Sequence, residues 1–279
     1  MPELPEVETV RRGLERRVLG RTISAVELIR PAMMRGGTSG GIQGCRISRL
    51  RRKGKVLELG LSRADSRVSA CLLVRLGMTG QLVVTAREAP LLPHTHARIS
   101  LDDCGEELRY RDPRRFGILR FCTPQQAERV FQSLGPDALE ITREEFERRL
   151  QGRRGAIKGW LLNQQSLAGL GNIYADEALF EARIHPRAAA CSISKARARA
   201  LHGAVQEVLR RAIDCQGTSF RDYIDIEGRP GNFGARLLVY GRENQPCPRC
   251  GSTIRRIVVC SRSSHFCPHC QRFRSRTAP

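Results

Sequence analysis

Two groups of residues, near opposite ends of the chain, have types and spacings that can do chemistry. Cys247-Pro-Arg-Cys250 is followed, after sixteen residues, by Cys267-Pro-His-Cys270. Two such pairs supply four thiolates, which complete a tetrahedral zinc shell and leave no position open for substrate. The expected cofactor is therefore one structural Zn2+, folding a β-hairpin too short to bury a core of its own. Arg255, Arg256 and Arg262 lie between the pairs, which suits the hairpin to phosphate. The other group is the opening run, Met1-Pro-Glu-Leu-Pro-Glu6. Removal of Met1 ahead of the small Pro2 would free a secondary amine with a reference pKa near ~8. Attack of such an amine on an aldehyde-like carbon gives a charged imine, a covalent electron sink. Glu3 stands beside it, where a carboxyl group could move protons. Taken alone, the same six residues read more simply as the start of a helix, because proline suits the first turn.

Composition narrows the partner class. The 279 residues include 48 Lys and Arg against 28 Asp and Glu, a formal net charge of +20. Basic residues recur along the whole chain, so an extended face for a polyanion, most simply nucleic acid, is expected. Only Lys53, Lys55, Lys158 and Lys195 are lysines. In a chain that uses arginine almost everywhere, those positions mark places where an amine able to lose its proton is useful. Eleven cysteines, an odd number, with no leader segment, argue against a disulfide framework. The seven outside the metal pairs are expected to pack as small hydrophobes. No apolar run of about 18 residues marks a membrane span. Glu3 and Glu6 replace the basic segment of a signal peptide. A cytoplasmic, nucleoid-associated location follows as the expectation.

Elements that could position these groups follow in order. Pro5 to Leu19 has Val7, Val10, Leu14 and Val18 on one helical face, stopped by Gly20. Eight short β segments fill Thr22 to Thr123, broken by Gly, Pro and Asp, and predict an antiparallel sandwich or barrel. Pro31–Gly41 and Ala86–Pro93 read as loops. Beyond Leu134-Gly-Pro136 the pattern turns helical. Thr142-Arg-Glu-Glu145 reads as a capping box, Gly169-Leu-Gly-Asn172 opens a helix, and Ser194–Cys215 is long and amphipathic. Gly217–Gly234 is a loop, and Gln271–Pro279 a basic tail.

Three further motifs bear on nucleic acid. The Gly-rich turn before Asn172 would present free N–H groups to a phosphate, or be a plain helix–helix turn. Asp112-Pro-Arg-Arg-Phe116 pairs guanidiniums with an aromatic ring at a turn between strands. Duplex-opening proteins insert such wedges between bases, and arginine can satisfy an orphaned partner base. Leu76-Gly-Met-Thr-Gly80 is a second glycine-bracketed turn with one flexible apolar side chain. Ordinary hairpin turns explain both equally well.

Taken together, Met1-Pro-Glu-Leu-Pro-Glu-Val-Glu-Thr9, Leu76–Gly80, Asp112–Gly117, Gly171-Asn-Ile-Tyr-Ala175, Val239-Tyr-Gly-Arg242 and the four cysteines fall in the order found in bacterial formamidopyrimidine-DNA glycosylases. The chain resembles that family over essentially its whole length. The related endonuclease VIII group starts with Pro-Glu-Gly and is the alternative; a non-catalytic DNA-binding paralogue is another. The resemblance implies an α+β chain in three parts: an N-terminal helix and β-sandwich (1–131), a helix–two-turn–helix domain with a lesion-capping loop (132–236), and a zinc-finger β-hairpin (237–279). It implies a monomer that acts on duplex DNA containing oxidised bases or abasic sites. Such an enzyme excises 8-oxoguanine and formamidopyrimidines and cuts the abasic strand by β,δ-elimination.

Carried over residue by residue, Pro2 resembles the nucleophile at C1′ and Glu3 the acid–base group that opens the deoxyribose. Lys55 takes the place of the β-elimination lysine, with Lys53 a surface neighbour. Arg262 resembles the finger arginine that binds phosphate and assists δ-elimination. Met78, Arg114 and Phe116 resemble a triad that fills the space left by an everted base. His94, Arg153, Lys158 and Asn172 resemble DNA-backbone contacts. Gly217–Gly234 resembles the loop that closes over the everted base, as base-excising enzymes require.

Overall fold

The computed structural model describes residues 2–36, 41–63, 67–102, 105–220 and 222–273. Met1 and residues 274–279 of the expected tail lie outside that set. Two compact units form, 1–133 with 213–234, and 134–212 with 235–279. The segment 213–234, grouped by sequence with the helical domain, thus belongs with the first unit, and the cysteine module belongs with the helices.

The first unit starts with α1 (Leu4–Arg17), which buries Leu4, Val7, Val10 and Leu14 as the 3.6-residue period requires. Two sheets follow. One has the order β1 (Ile23–Leu28), β7 (Thr95–Leu101), β8 (Glu106–Arg111), β6 (Gln81–Ala86). The other runs β2 (Met34–Arg35), β9 (Ile118–Cys122), β5 (Ala70–Arg75), β4 (Val56–Ser62), β3 (Arg46–Lys53). All pairs are antiparallel except β2 with β9, a short parallel pair inside the stretch expected to be loop. Leu57, Leu59, Leu72, Val74 and Leu119 from the five-stranded sheet share one core with Leu82, Ile99, Leu108 and Tyr110 from the four-stranded sheet, and α1 contributes Val10 and Leu14. This is the expected sandwich. The helix α2 (Pro124–Gln132) closes the unit, capped by a reciprocal box between Thr123 and Gln126.

The second unit carries α3 (Arg143–Leu150), α4 (Ile157–Leu162), α5 (Asn172–Glu181) and most of α6 (Lys195–Asp214). Thr142 caps α3 by accepting from the Glu145 N–H at 3.2 Å. The box expected there is only half made, because the Glu145 carboxylate turns to Arg149 at 2.8 Å. Phe146 packs edge-on against Trp160 and His202, at 5.1 and 5.4 Å between ring centres. The finger hairpin is β10 (Arg255–Val259) paired with β11 (Arg262–Phe266). Its base shares a small core of Phe180, Val239, Cys247, Ile254 and Cys267. Gln271, assigned by sequence to the tail, is buried here: it accepts from Cys267 N and donates to Ile184 O, both at 2.9 Å. Among the described residues no helix is long and apolar enough to cross a membrane.

Candidate active site and nucleic-acid interface

In the first unit, chemistry gathers at the N-terminus of α1. Pro2 and Glu3 are buried, and Glu3 with Glu6 forms a capping box. The Glu3 N–H donates to the Glu6 carboxylate at 2.7 Å. The other Glu6 oxygen accepts from Thr218 N at 2.8 Å, which ties the Gly217–Gly234 segment to the helix start. Gly217, at φ +84°, comes so close to Glu6 that an added Cβ would lie 2.9 Å from its side chain. A second tether runs from Val84 N to Ile226 O at 2.8 Å.

Lys55 is brought to the same place. It occupies the two-residue turn between β3 and β4, where Gly54 has φ +57°. Burial holds its ammonium below the usual lysine range, partly offset by attraction to the Glu3 and Glu6 carboxylates. Arg52 sets that turn. Its guanidinium donates to Gly54 O at 3.1 Å and to the Glu8 carboxylate of α1 at 2.9 Å. Burial would raise the Glu8 carboxyl, but hydrogen bonds from Arg11, Arg52 and Arg12 hold it down to about 2. Lys53, expected at the surface, is half-buried and donates to Phe131 O at 3.0 Å.

The two glycine-bracketed loops are neighbours, cross-braced by Asp112. Its buried carboxylate accepts from Thr79 Oγ1 at 2.5 Å, Gly117 N at 2.8 Å and Tyr110 Oη at 3.3 Å. Thr79 accepts in turn from Arg114 N at 3.1 Å. Gly77, at φ +65°, approaches so closely that a Cβ would meet Phe116 C at 2.5 Å. The frame is rigid, yet Met78 and Phe116 stay 37 % and 56 % exposed. The Arg114 guanidinium lies 5.0 Å from the centre of the Phe116 ring. Exposed apolar side chains on a braced backbone are what a wedge needs. His94, exposed at φ 67°, accepts at its carbonyl from Asp112 N at 3.0 Å.

In the second unit, the Sγ atoms of Cys247, Cys250, Cys267 and Cys270 all lie within 4.8 Å of one another. The closest pairs are 3.4, 3.5 and 3.9 Å apart. A zinc tetrahedron with ~2.3 Å bonds has edges of about 3.8 Å, so the donor set fits one ion. Backbone N–H groups of Arg249 and Cys270 point at Cys247 and Cys267 Sγ, both at 3.4 Å, which favours thiolates. At the hairpin tip Cys260 and Ser261 have φ of 49° and 58°. Arg262 follows, exposed, donating to the neighbouring Ser261 O at 3.2 Å. Arg153 is exposed beyond α3, and its Nε donates to Arg149 O at 3.3 Å. Asn172 begins α5, and its Oδ1 is buried with no hydrogen-bond partner among the described residues.

Lys158 is placed otherwise than expected. Its side chain is 0 % exposed, and its ammonium pairs with Asp176 Oδ1 at 2.7 Å and donates to Ser263 O at 2.7 Å. Burial and these partners engage its charge within the protein. Sequence reading also missed Glu6, Glu8, Arg52, Asp112, Asp176 and Glu177 as organisers of the site. Asp112-Pro113 was the one with a local signal, since aspartate before proline commonly starts a turn.

Comparison with known proteins identifies the domains that carry these residues. Residues 1–119 match the profile of the formamidopyrimidine-DNA glycosylase N-terminal domain. Residues 134–223 match that of the same enzyme's H2TH domain, and 244–272 the zinc finger found in FPG and IleRS. The formamidopyrimidine-DNA glycosylase of Heliobacterium modesticaldum is 46 % identical, covering 98 % of this chain and 100 % of that protein. The MutM (FPG) structure from Thermus thermophilus is 40 % identical with a TM-score of 0.85, over 97 % of this chain and 98 % of the other. A Lactococcus lactis Fpg complex with DNA containing N7-benzyl-Fapy-dG is 34 % identical with a TM-score of 0.88, over 98 % of this chain and 100 % of the other. The chain belongs to the formamidopyrimidine-DNA glycosylase family.

Proposed function

We propose that this chain excises oxidised purines, 8-oxoguanine and formamidopyrimidines, from duplex DNA and then cleaves the abasic strand by β,δ-elimination. The observation that carries the reading is the convergence at the start of α1: Pro2, Glu3, and a Lys55 ammonium whose proton is loosened by burial beside the Glu3 and Glu6 carboxylates. With Met1 removed, the Pro2 nitrogen attacks C1′, and the damaged base leaves with a proton. Glu3 protonates O4′ as the sugar ring opens to the iminium. Loss of a C2′ proton, with Lys55 as the acid–base group, expels the 3′ phosphate. Loss of a C4′ proton expels the 5′ phosphate, and water releases the amine.

Met78, Arg114 and Phe116 would fill the stack behind an everted base. Arg262, Arg153, His94 and Asn172 would contact the backbone. The finger zinc supplies folding alone. The family's three-part division, with 213–234 moved to the sandwich unit, a monomer, and action at the bacterial nucleoid complete the reading. Borohydride trapping on an 8-oxoguanine duplex tests it, together with N-terminal mass analysis. The expected result is a covalent adduct on protein that starts at Pro2. Failure to trap, or undiminished trapping after the N-terminal amine is blocked, overturns it.

A further inference from the structure

The Lys158 ion pair is the best-defined feature that this reading leaves unused. Both partners are 0 % exposed. Isolating two charges from water costs several kcal/mol per ion, so such a pair is poor as a source of stability and better suited to fixing one arrangement among several. The arrangement fixed here is that of the finger hairpin. Lys158 of α4 donates to Ser263 O at 2.7 Å. Asp176 of α5 accepts from Ser264 Oγ at 2.9 Å and from His265 N at 2.8 Å. The pair therefore grips three successive residues of β11 by backbone and side chain. The first of them follows directly on Arg262.

Two further contacts from the same helices act on the finger. Gly159 lies under the tip, where an added Cβ would come 2.7 Å from Cys260 Sγ. Glu177 accepts from the N–H groups of Leu238, Val239 and Tyr240, at 2.9, 2.9 and 2.8 Å, on the segment that leads into the finger. A two-stranded hairpin alone is marginally stable and free to splay. Among the described residues the Arg262 guanidinium bonds to Ser261 O of the same tip alone, so the tip backbone decides where it points.

We infer that Lys158 and Asp176 are positioning residues: their buried pair sets the finger hairpin, and so aims Arg262 at phosphate, without either touching DNA. This rests on the reading of Arg262 as a phosphate ligand. Its test is a double-mutant cycle on zinc-loaded protein, using a duplex that carries a stable abasic-site analogue. The neutral variant Lys158→Met/Asp176→Asn removes both charges together and keeps one amide oxygen for the His265 N–H, while the Ser264 hydroxyl can turn to accept from the amide NH2. Zinc content and the thermal melt check that it folds; Asp176→Asn alone is the second variant.

Arg262→Ala is expected to weaken binding about tenfold, the loss of one charge-assisted contact. The neutral pair should do the same, and should lower the share of δ-elimination product in parallel. In the Arg262→Ala background the neutral pair should add less than about twofold, because residues that act through one another are not additive. The salt slope of binding in that background should also stay put, whereas a direct phosphate contact would lower it by about one. A second, independent tenfold loss there would show that Lys158 meets phosphate itself. Unchanged binding and product share for a folded neutral pair, with Arg262→Ala still defective, would overturn the inference alone. An innocuous Arg262→Ala would overturn the reading of Arg262, and the inference with it.

Discussion

Replacing Glu8 by glutamine removes the charge that joins α1 to the turn carrying Lys55. Three guanidiniums converge on this carboxylate: Arg11 at 3.0 Å, Arg12 at 2.9 Å and Arg52 at 2.9 Å, the last with only 3 % of its side chain exposed. They bring the carboxyl from 4.5 down to about 2. At 1.36 kcal/mol per unit, that is about 3 kcal/mol of stability linked to ionisation of this one group. The folded value is the depressed one, so the contribution is complete above the unfolded value near 4.5 and fades as pH falls through about 2. By the same linkage less than half of it remains at pH 3. Urea melts of wild type and Glu8→Gln should therefore differ by about 3 kcal/mol at pH 7, and the gap should close by about 2 kcal/mol at pH 3. Because every other titrating group is common to both proteins, the change in the gap isolates Glu8. A gap that is the same at both pH values would refute the electrostatic account and leave only altered packing. Cleavage should fall with stability at pH 7, since Arg52 would lose its hold on the turn.

Three other outcomes follow from the same geometry. Lys55→Met should abolish strand cleavage yet raise the melting temperature at pH 7: burial lowers the folded-state value, so stability rises with pH from that value up to 10.5, and below it the ammonium is a burden on the fold. A fall in melting temperature would contradict this. Gly159→Ala should change stability by about 1 kcal/mol or less, because the exposed Cys260 thiol can rotate away from the new methyl and alanine favours a helix; a loss of several kcal/mol would show that the hairpin tip is held rigidly against Gly159. Stripping zinc with a chelator under reducing conditions should abolish DNA binding while the β-sandwich keeps its circular-dichroism signal, since the metal folds only the finger; retained affinity would count against the hairpin as a contact.

Features carried by local pattern were legible in the chain. The apolar stripe of Val7, Val10 and Leu14 marks α1, and short β segments broken by Gly, Pro and Asp mark the eight longer strands of the sandwich. The cysteine spacing anticipates four thiols within one coordination sphere. Features that depend on partners remote in sequence were not. Nothing near Lys158 indicates that it finds Asp176 on the next helix and Ser263 on the finger. The family resemblance put it among DNA-backbone contacts, whereas its burial gives the charge partners inside the protein. Glu145 satisfies the capping-box pattern, but Arg149 one turn on competes for the carboxylate and wins. The segment 213–234 looks continuous with α6, yet its tethers to Glu6 and β6 place it with the sandwich.

The scarcity of lysine has an analytical consequence. Only four side-chain amines exist in the chain, and each sits in a different setting. Lys195 is open to solvent, Lys53 is half-buried on a carbonyl, Lys158 is sealed in an ion pair, and Lys55 is half-buried with its proton loosened. An acylating reagent at neutral pH therefore reads out four separate states of one molecule. Lys195 reports reagent supply and Lys158 the integrity of the finger clamp. Lys55 reports whether the active site is occupied, with no label added to the DNA.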